Sequence, residues 1–292
     1  MSAPIKVPEQ PRLSSTSTSD DESGSSSPPP QLDPSTLALL NSFYQEREQQ
    51  EQEFRELEEK AHKRLLKTQQ ESETQTTEGE TEEEEEDKMM SIEEFRKLFQ
   101  EDWQLSQFWY TSTFASKLCK FIHSFSSTSS RIAFLCCPTS YVAFRNQNPS
   151  LRDVWLLEYD QRFELLDSQK FVHYDLEQPE RIPKHLWGTI DIAIADPPFL
   201  NKVTNQHLSE GLKKLLKPKE QGGKLILLTS TSVSSLPEIY SKKSGLGPLE
   251  ETDLRVEHAG GIQNEFRVWT SWKFQGEREG IKLVDDPVFK YD

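Results

Sequence analysis

The stretch Ile190-Asp191-Ile192-Ala193-Ile194-Ala195-Asp196-Pro197-Pro198-Phe199 decides the architecture. A nearly unbroken apolar run ends on an acid, two prolines and an aromatic ring. Strands covered by helices on both faces have this pattern and belong to parallel sheets. The two prolines supply no N–H donor, so the ladder stops there. Leu225–Leu228 is a second such run, inside a strand expected at Lys224–Thr229. Further β-rich runs lie at Arg131–Cys136, Val154–Glu158 and Phe171–Tyr174. Helical signals alternate with them at Ser91–Gln100, Thr113–Ser124, Ser140–Arg145 and Thr204–Leu216. Ser91 and Glu94 form a capping box for the first of these. Phe266–Phe274 alternates and suits an antiparallel edge or hairpin strand. The sum is an α/β doubly wound domain, mostly parallel with an antiparallel late strand, its ligand expected at the carboxyl ends of the strands.

Outward from this core, composition changes sharply. The chain has 292 residues, 34 basic and 49 acidic side chains and a net charge of -15. Residues 1–88 hold nine basic against 22 acidic residues, whereas residues 89–292 hold 25 against 27. Residues 1–34 are rich in Ser, Thr and Pro, bury too little apolar surface to offset ordering entropy, and read as disordered. Asp33-Pro34-Ser35 is helix-start chemistry, and residues 35–70 read as a helical segment. Leu37, Leu40 and Tyr44 form one apolar stripe on it; Phe54, Leu57, Ala61 and Leu65 form another. It either docks through these stripes or stands as a solvated helix. Residues 71–88, with Glu82–Glu86, read as a disordered acidic linker. Residues 89–292 are long enough and apolar enough for one domain with a sizeable core.

Several functions are excluded or disfavoured. No apolar run approaches the ~20 residues that span a bilayer, and the first 20 residues carry no secretory signal. Three cysteines, two of them the adjacent Cys136 and Cys137, fit reduced intracellular thiols and a cytoplasmic protein. No Cys/His cluster has zinc spacing, so no metal is expected. The acidic balance opposes broad nucleic-acid binding.

Asp196-Pro197-Pro198-Phe199 carries the chemistry. The Asp196 carboxylate and the proline carbonyls are acceptors only. They can take the hydrogens of a neutral amine and aim its lone pair, while the ring packs against it or against a nearby cation. The plain alternative is a Pro-rich strand-to-helix turn. Asp-Pro-Pro-Phe after a fourth strand resembles the catalytic motif of amino-group methyltransferases that use S-adenosylmethionine. Three segments narrow the resemblance: Gln104-Leu105-Ser106-Gln107-Phe108-Trp109-Tyr110, Glu158-Tyr159-Asp160-x-Arg162-Phe163 and Asn264-Glu265-Phe266-Arg267. They resemble the lysine methyltransferases that modify translation elongation factor 1-alpha, a family first catalogued as N6-adenine DNA methyltransferases. Leu37–Tyr44 also resembles that family's N-terminal helix. The resemblance covers roughly residues 32–48 and 98–275.

This implies a Rossmann-like class I methyltransferase that binds S-adenosylmethionine and acts on a protein, in this family the elongation factor. Asp196, Pro197, Pro198 and Phe199 are then the catalytic residues. Glu158, with Asp160 as competing candidate, is expected at the cofactor ribose, and Asp175 at the adenine or as a loop cap. The loop after the first strand lacks glycine, as in the family. Thr139 and Ser140 at the next helix start are candidates for the cofactor carboxylate. Trp109 and Tyr110 either close over it or pack in the core. Asn264 and Phe266 are candidates for the acceptor side. The rival is an adenine N6-methyltransferase with Phe199 stacking on a flipped base; a non-catalytic protein on the same fold is the third reading.

Overall fold

The computed structural model describes residues 33–73, 90–261 and 265–291. The disorder expected for residues 1–34 lies outside them except at Asp33 and Pro34, which instead cap and open a helix; the linker from 74 on and Asn264 also lie outside. Two compact units divide the chain, one ending at Arg47 and one running from Glu48.

Helix α1 spans Pro34–Glu73, capped by Asp33, whose Oδ1 accepts from the backbone of Ser35 and Thr36 at 2.9 and 3.0 Å. It runs three residues past the expected start of the acidic linker. Leu37, Leu39, Phe43 and Tyr44 are exposed on the first unit's part of it. In the second unit, Phe54 and Leu57 pack against the domain core, Phe54 meeting the Phe99 ring edge-on at 5.9 Å. The domain then continues through α2 (Ile92–Leu98), whose capping box is the expected one, and α3 (Ser112–His123).

The sheet comprises β1 (Ile132–Leu135), β2 (Val154–Glu158), β3 (Phe171–His173), β4 (Ile192–Ala195), β5 (Lys224–Ser230), β6 (Glu250–Arg255) and β7 (Phe266–Thr270). Helix α4 (Pro138–Gln147) links β1 to β2, and α5 (Lys202–Leu215) links β4 to β5. The helix expected from Ser140 begins two residues earlier, because the fixed φ of Pro138 suits a first helical turn. Strand order is β3-β2-β1-β4-β5-β7-β6; the first five are parallel, and β7 is antiparallel to both β5 and β6. The late aromatic strand is therefore not an edge. It is the inner half of a hairpin whose outer half, β6, has the charged sequence Glu250-Glu251-Thr252-Asp253-Leu254-Arg255 and no apolar alternation to betray it.

Period-two alternation divides the core. Ile132, Phe134, Leu156, Ile194 and Leu228 face α2, α3 and α4, whereas Ala133, Leu135, Leu157, Ala195 and Leu227 face α5. Gly211 on α5 is required by this packing: a Cβ there would fall 2.1 Å from the Tyr174 hydroxyl. The Rossmann-like arrangement places the ends of β1 to β4 side by side, Ala195 level with Leu135 and Leu135 with Leu157.

Candidate active site

A cavity of about 440 Å³ opens at these strand ends. Cys136 and Cys137 after β1, Glu158 and Tyr159 ending β2, Tyr174 to Glu177 after β3 and Asp196 to Leu200 after β4 line it, with residues 105–110, His258 and Phe266 opposite. Its size is that of a small-molecule site. Cys136 has φ +57°, a left-handed conformation that glycine would adopt without cost. The glycine-free loop thus makes the turn expected of a Gly-rich one, at the expense of local strain. Burial pushes both thiols far above their ordinary range, so neither is a nucleophile.

Asp196 follows β4 with its carboxyl open to the cavity. Burial lifts it from the ordinary carboxylate range to about 7, against the opposing hydrogen bond that the Tyr110 hydroxyl donates to Oδ2. Its Oδ1 makes no hydrogen bond among the described residues. Tyr110 lies 86 residues away in sequence and is held by a bridge to His258 and by Arg96, which donates to its carbonyl. The His258 ring lies 5.4 Å from that of Tyr110, 4.9 Å from Phe266 and 6.4 Å from Phe108. Burial lowers His258 to about 4, so this wall is aromatic and neutral. Pro197 is buried, and Phe199 stands 49% exposed beside the cavity.

Glu158 is the second acid of the cavity and is itself buried. Its Oε1 accepts from the backbone of Tyr159 at 2.9 Å and of Asp160 at 3.5 Å. Burial outweighs these bonds and lifts it to about 7. Asp160 does not line the cavity. Its carboxylate accepts from Arg162 Nε at 2.9 Å and from Gln107 Nε2 at 3.3 Å.

The other sequence candidates divide between the cavity and the core. Thr139 lines the cavity with a buried hydroxyl that has no partner. Ser140 stands behind the lining; its hydroxyl is likewise unpartnered. Asp175 lines the cavity, but its oxygens accept from Glu177 N at 2.9 Å and Gln178 Nε2 at 2.7 Å, which is loop capping. Trp109 borders the cavity while its ring packs on Phe95 at 5.1 Å and donates to the Phe99 carbonyl at 2.7 Å, so it serves the core. Phe266 is in the wall. Sequence reasoning missed His258, which follows the unread strand β6, and Gln107, which lay in a quoted motif without an assigned role. It also missed the pairing of Tyr110 with Asp196. Among the described residues no group of three His, Cys, Asp or Glu side chains is placed to hold a metal ion, and no helix is long and apolar enough to cross a membrane.

Comparison with known proteins supplies the context. The family model described as "Probable N6-adenine methyltransferase" matches residues 101–274. A Saccharomyces cerevisiae protein, "Protein-lysine N-methyltransferase EFM5", is 34% identical over 197 residues, covering 62% of this chain and 78% of the relative. "EEF1A lysine methyltransferase 1" of Gallus gallus is 33% identical over 174 residues, 59% of this chain and 76% of that one. The Homo sapiens protein of the same name is 30% identical over 179 residues, with 60% and 77% covered. The matched span contains the strand ends, the Asp-Pro-Pro-Phe turn and both cavity acids, and so this chain belongs to the protein-lysine N-methyltransferase family that the model and these relatives define.

Proposed function

We propose that the chain is an S-adenosylmethionine-dependent protein-lysine N-methyltransferase whose substrate is translation elongation factor 1-alpha. The observation that carries the reading is Asp196: a half-buried carboxyl with one oxygen tied to Tyr110 and the other without a protein partner at a cavity walled by neutral rings. The substrate assignment rests on the relatives' names. A cytoplasmic site of action goes with that partner, and residues 89–292 form the catalytic domain in this reading, preceded by the helical segment and the acidic linker.

The residues present suit the cofactor. Thr139, Gln107 and Tyr174, which line the cavity with Glu158, each carry a buried oxygen that lacks a partner. Buried polar atoms left unsatisfied in a native protein call for an explanation, and a polar ligand provides one. Glu158 would hold the ribose, and Thr139 at the start of α4 the carboxylate end, aided by the helix dipole. Asp175, already engaged in its loop, would offer its remaining lone pairs to the adenine amino group. S-adenosylmethionine, when bound, supplies a methyl group on a sulfonium cation.

Everything else falls to this chain. A free lysine with pKa ~10.4 costs about 4 kcal/mol to present as a neutral amine at pH ~7.4. Enclosure by Tyr110, His258, Phe266 and Phe199 reduces that cost by disfavouring the ammonium. Asp196 Oδ1 and the Pro197 carbonyl accept the amine hydrogens and aim its lone pair. Tyr110 fixes the carboxylate that does so. Catalysis here is positioning in a dry site.

The test uses labelled S-adenosylmethionine in an extract lacking this activity, with wild type and Asp196→Ala in parallel. Label in one protein band at the mass of the elongation factor, absent with the variant, is the expected result. Label that survives protease and disappears with nuclease would establish adenine methylation instead.

A further inference from the structure

We propose that Gln107 is a cofactor contact, its side-chain oxygen accepting a hydrogen bond from one ribose hydroxyl while Glu158 takes the other, and that Asp160 is the residue that positions it. The inference rests on the cofactor reading above and adds the residues that recognise the ribose.

Gln107 lines the cavity and is 7% exposed. Its Oε1 is buried without a partner. The amide cannot turn to relieve this. Its Nε2 faces Asp160 Oδ2 at 3.3 Å, and a carboxylate only accepts. Arg162 keeps Asp160 ionised through Nε at 3.0 and 2.9 Å from the two oxygens and a further bond from Nη2. The NH2 end must therefore face Asp160, which leaves the oxygen without a protein partner on a residue that lines the cavity.

The backbone aims the same side chain. Asp102 Oδ1 accepts from Gln104 N at 2.8 Å and Leu105 N at 3.2 Å, and the Asp102 carbonyl accepts from Gln107 N at 2.9 Å. Ser106 closes this turn at φ +55°, a conformation a non-glycine residue adopts at a cost. The backbone N–H of Asp160 also reaches Glu158 Oε1. Gln107 and Glu158 are thus linked through one residue, and both line the cavity. A carboxylate and a neutral amide oxygen joined through one residue suit a vicinal diol, one hydroxyl to each.

Isothermal titration with S-adenosylhomocysteine tests this without turnover. Gln107→Met and Gln107→Leu should each weaken binding about tenfold, the loss of one buried hydrogen bond. With 2′-deoxy or 3′-deoxy S-adenosylhomocysteine, whichever lacks the hydroxyl that Gln107 reads, wild type and Gln107→Met should bind alike. Asp160→Ala should weaken wild type comparably and change Gln107→Met less than about twofold. Asp160→Asn, which keeps an acceptor for the amide, should restore most of the affinity. Binding by both Gln107 variants within about twofold of wild type, with unaltered melting, would overturn the proposal. So would a gap that persists with both deoxy ligands, which would place Gln107 at the amino-acid end. Failure of wild type itself to bind S-adenosylhomocysteine would remove the cofactor reading and this inference together.

Discussion

Glu158 and Asp196 end β2 and β4, two parallel strands separated only by β1, and burial raises both to about 7. Their partners differ. Glu158 is held by main-chain N–H groups of its own loop, so its geometry follows from the strand end alone. Asp196 is held by a side chain from a segment 86 residues earlier. One carboxyl is therefore a local device, suited to recognising a fixed small ligand. The other is assembled by tertiary structure, beside neutral rings that face a second reactant. Under the proposed function, the same carboxyl group serves recognition in one place and aim in the other.

Replacing each acid separates the two roles. Asp196→Ala should lower turnover by about 10³-fold or more, since positioning of the amine is the main catalytic contribution. Its affinity for S-adenosylhomocysteine should stay within a few-fold of wild type by titration; a variant that retains activity would end the mechanism. Glu158→Gln should do the reverse, weakening S-adenosylhomocysteine about 10- to 100-fold through loss of charged hydrogen bonds. At saturating cofactor its turnover should recover to near wild type. Equal effects of both substitutions on both measurements would dissolve the distinction.

The same contrast explains how much was legible in advance. The strand Ile192–Ala195, the acid that follows it and the prolines that end it are contiguous, so their chemistry could be read directly. Glu158 was readable because it closes an apolar strand. Tyr110 was visible as a motif residue but was assigned to the cofactor, because nothing local in the chain connects it to Asp196. His258 was invisible for a related reason. It follows β6, whose charged residues pair with β7 through the backbone and carry no periodic apolar signal. Asp160 was named as a ribose contact on its nearness to Glu158; the pairing with Arg162 turns it from the cavity. Elements that bury both faces leave their mark in sequence, whereas partners brought together by the fold do not.

Tyr110→Phe is a smaller perturbation that tests the tertiary half of the comparison. The Tyr110 hydrogen bond favours the ionised form of Asp196, so its removal should raise that group further above 7. The acid limb of turnover should move to higher pH, with a loss of about tenfold near pH 7 that narrows towards pH 9. Glu158→Gln should leave that limb in place. A uniform loss at every pH would mean that Tyr110 merely packs.

The smallest effect concerns stability without ligand. A carboxyl that titrates near 4.5 unfolded and about 7 folded binds more proton in the folded state across that interval. Stability contributed by this difference is fully present below the unfolded value and is lost as pH rises through the folded one. His258, lowered from 6.5 to about 4, has the opposite sign, because the folded state excludes a proton that the unfolded chain binds. The wild-type profile between pH 5 and 8 therefore mixes opposing slopes. Comparison with Glu158→Gln cancels His258 and leaves the acid. At pH 5 Glu158 is protonated, close in shape and charge to glutamine, and the two proteins should melt together. By pH 8 the wild type carries a buried carboxylate and the variant does not, so the variant should be more stable by about 1–3 kcal/mol. Denaturant midpoints at the two pH values measure the difference. A constant offset would show that Glu158 ionises in the folded chain as readily as in the unfolded one, and the likeness between the two acids would then be lost.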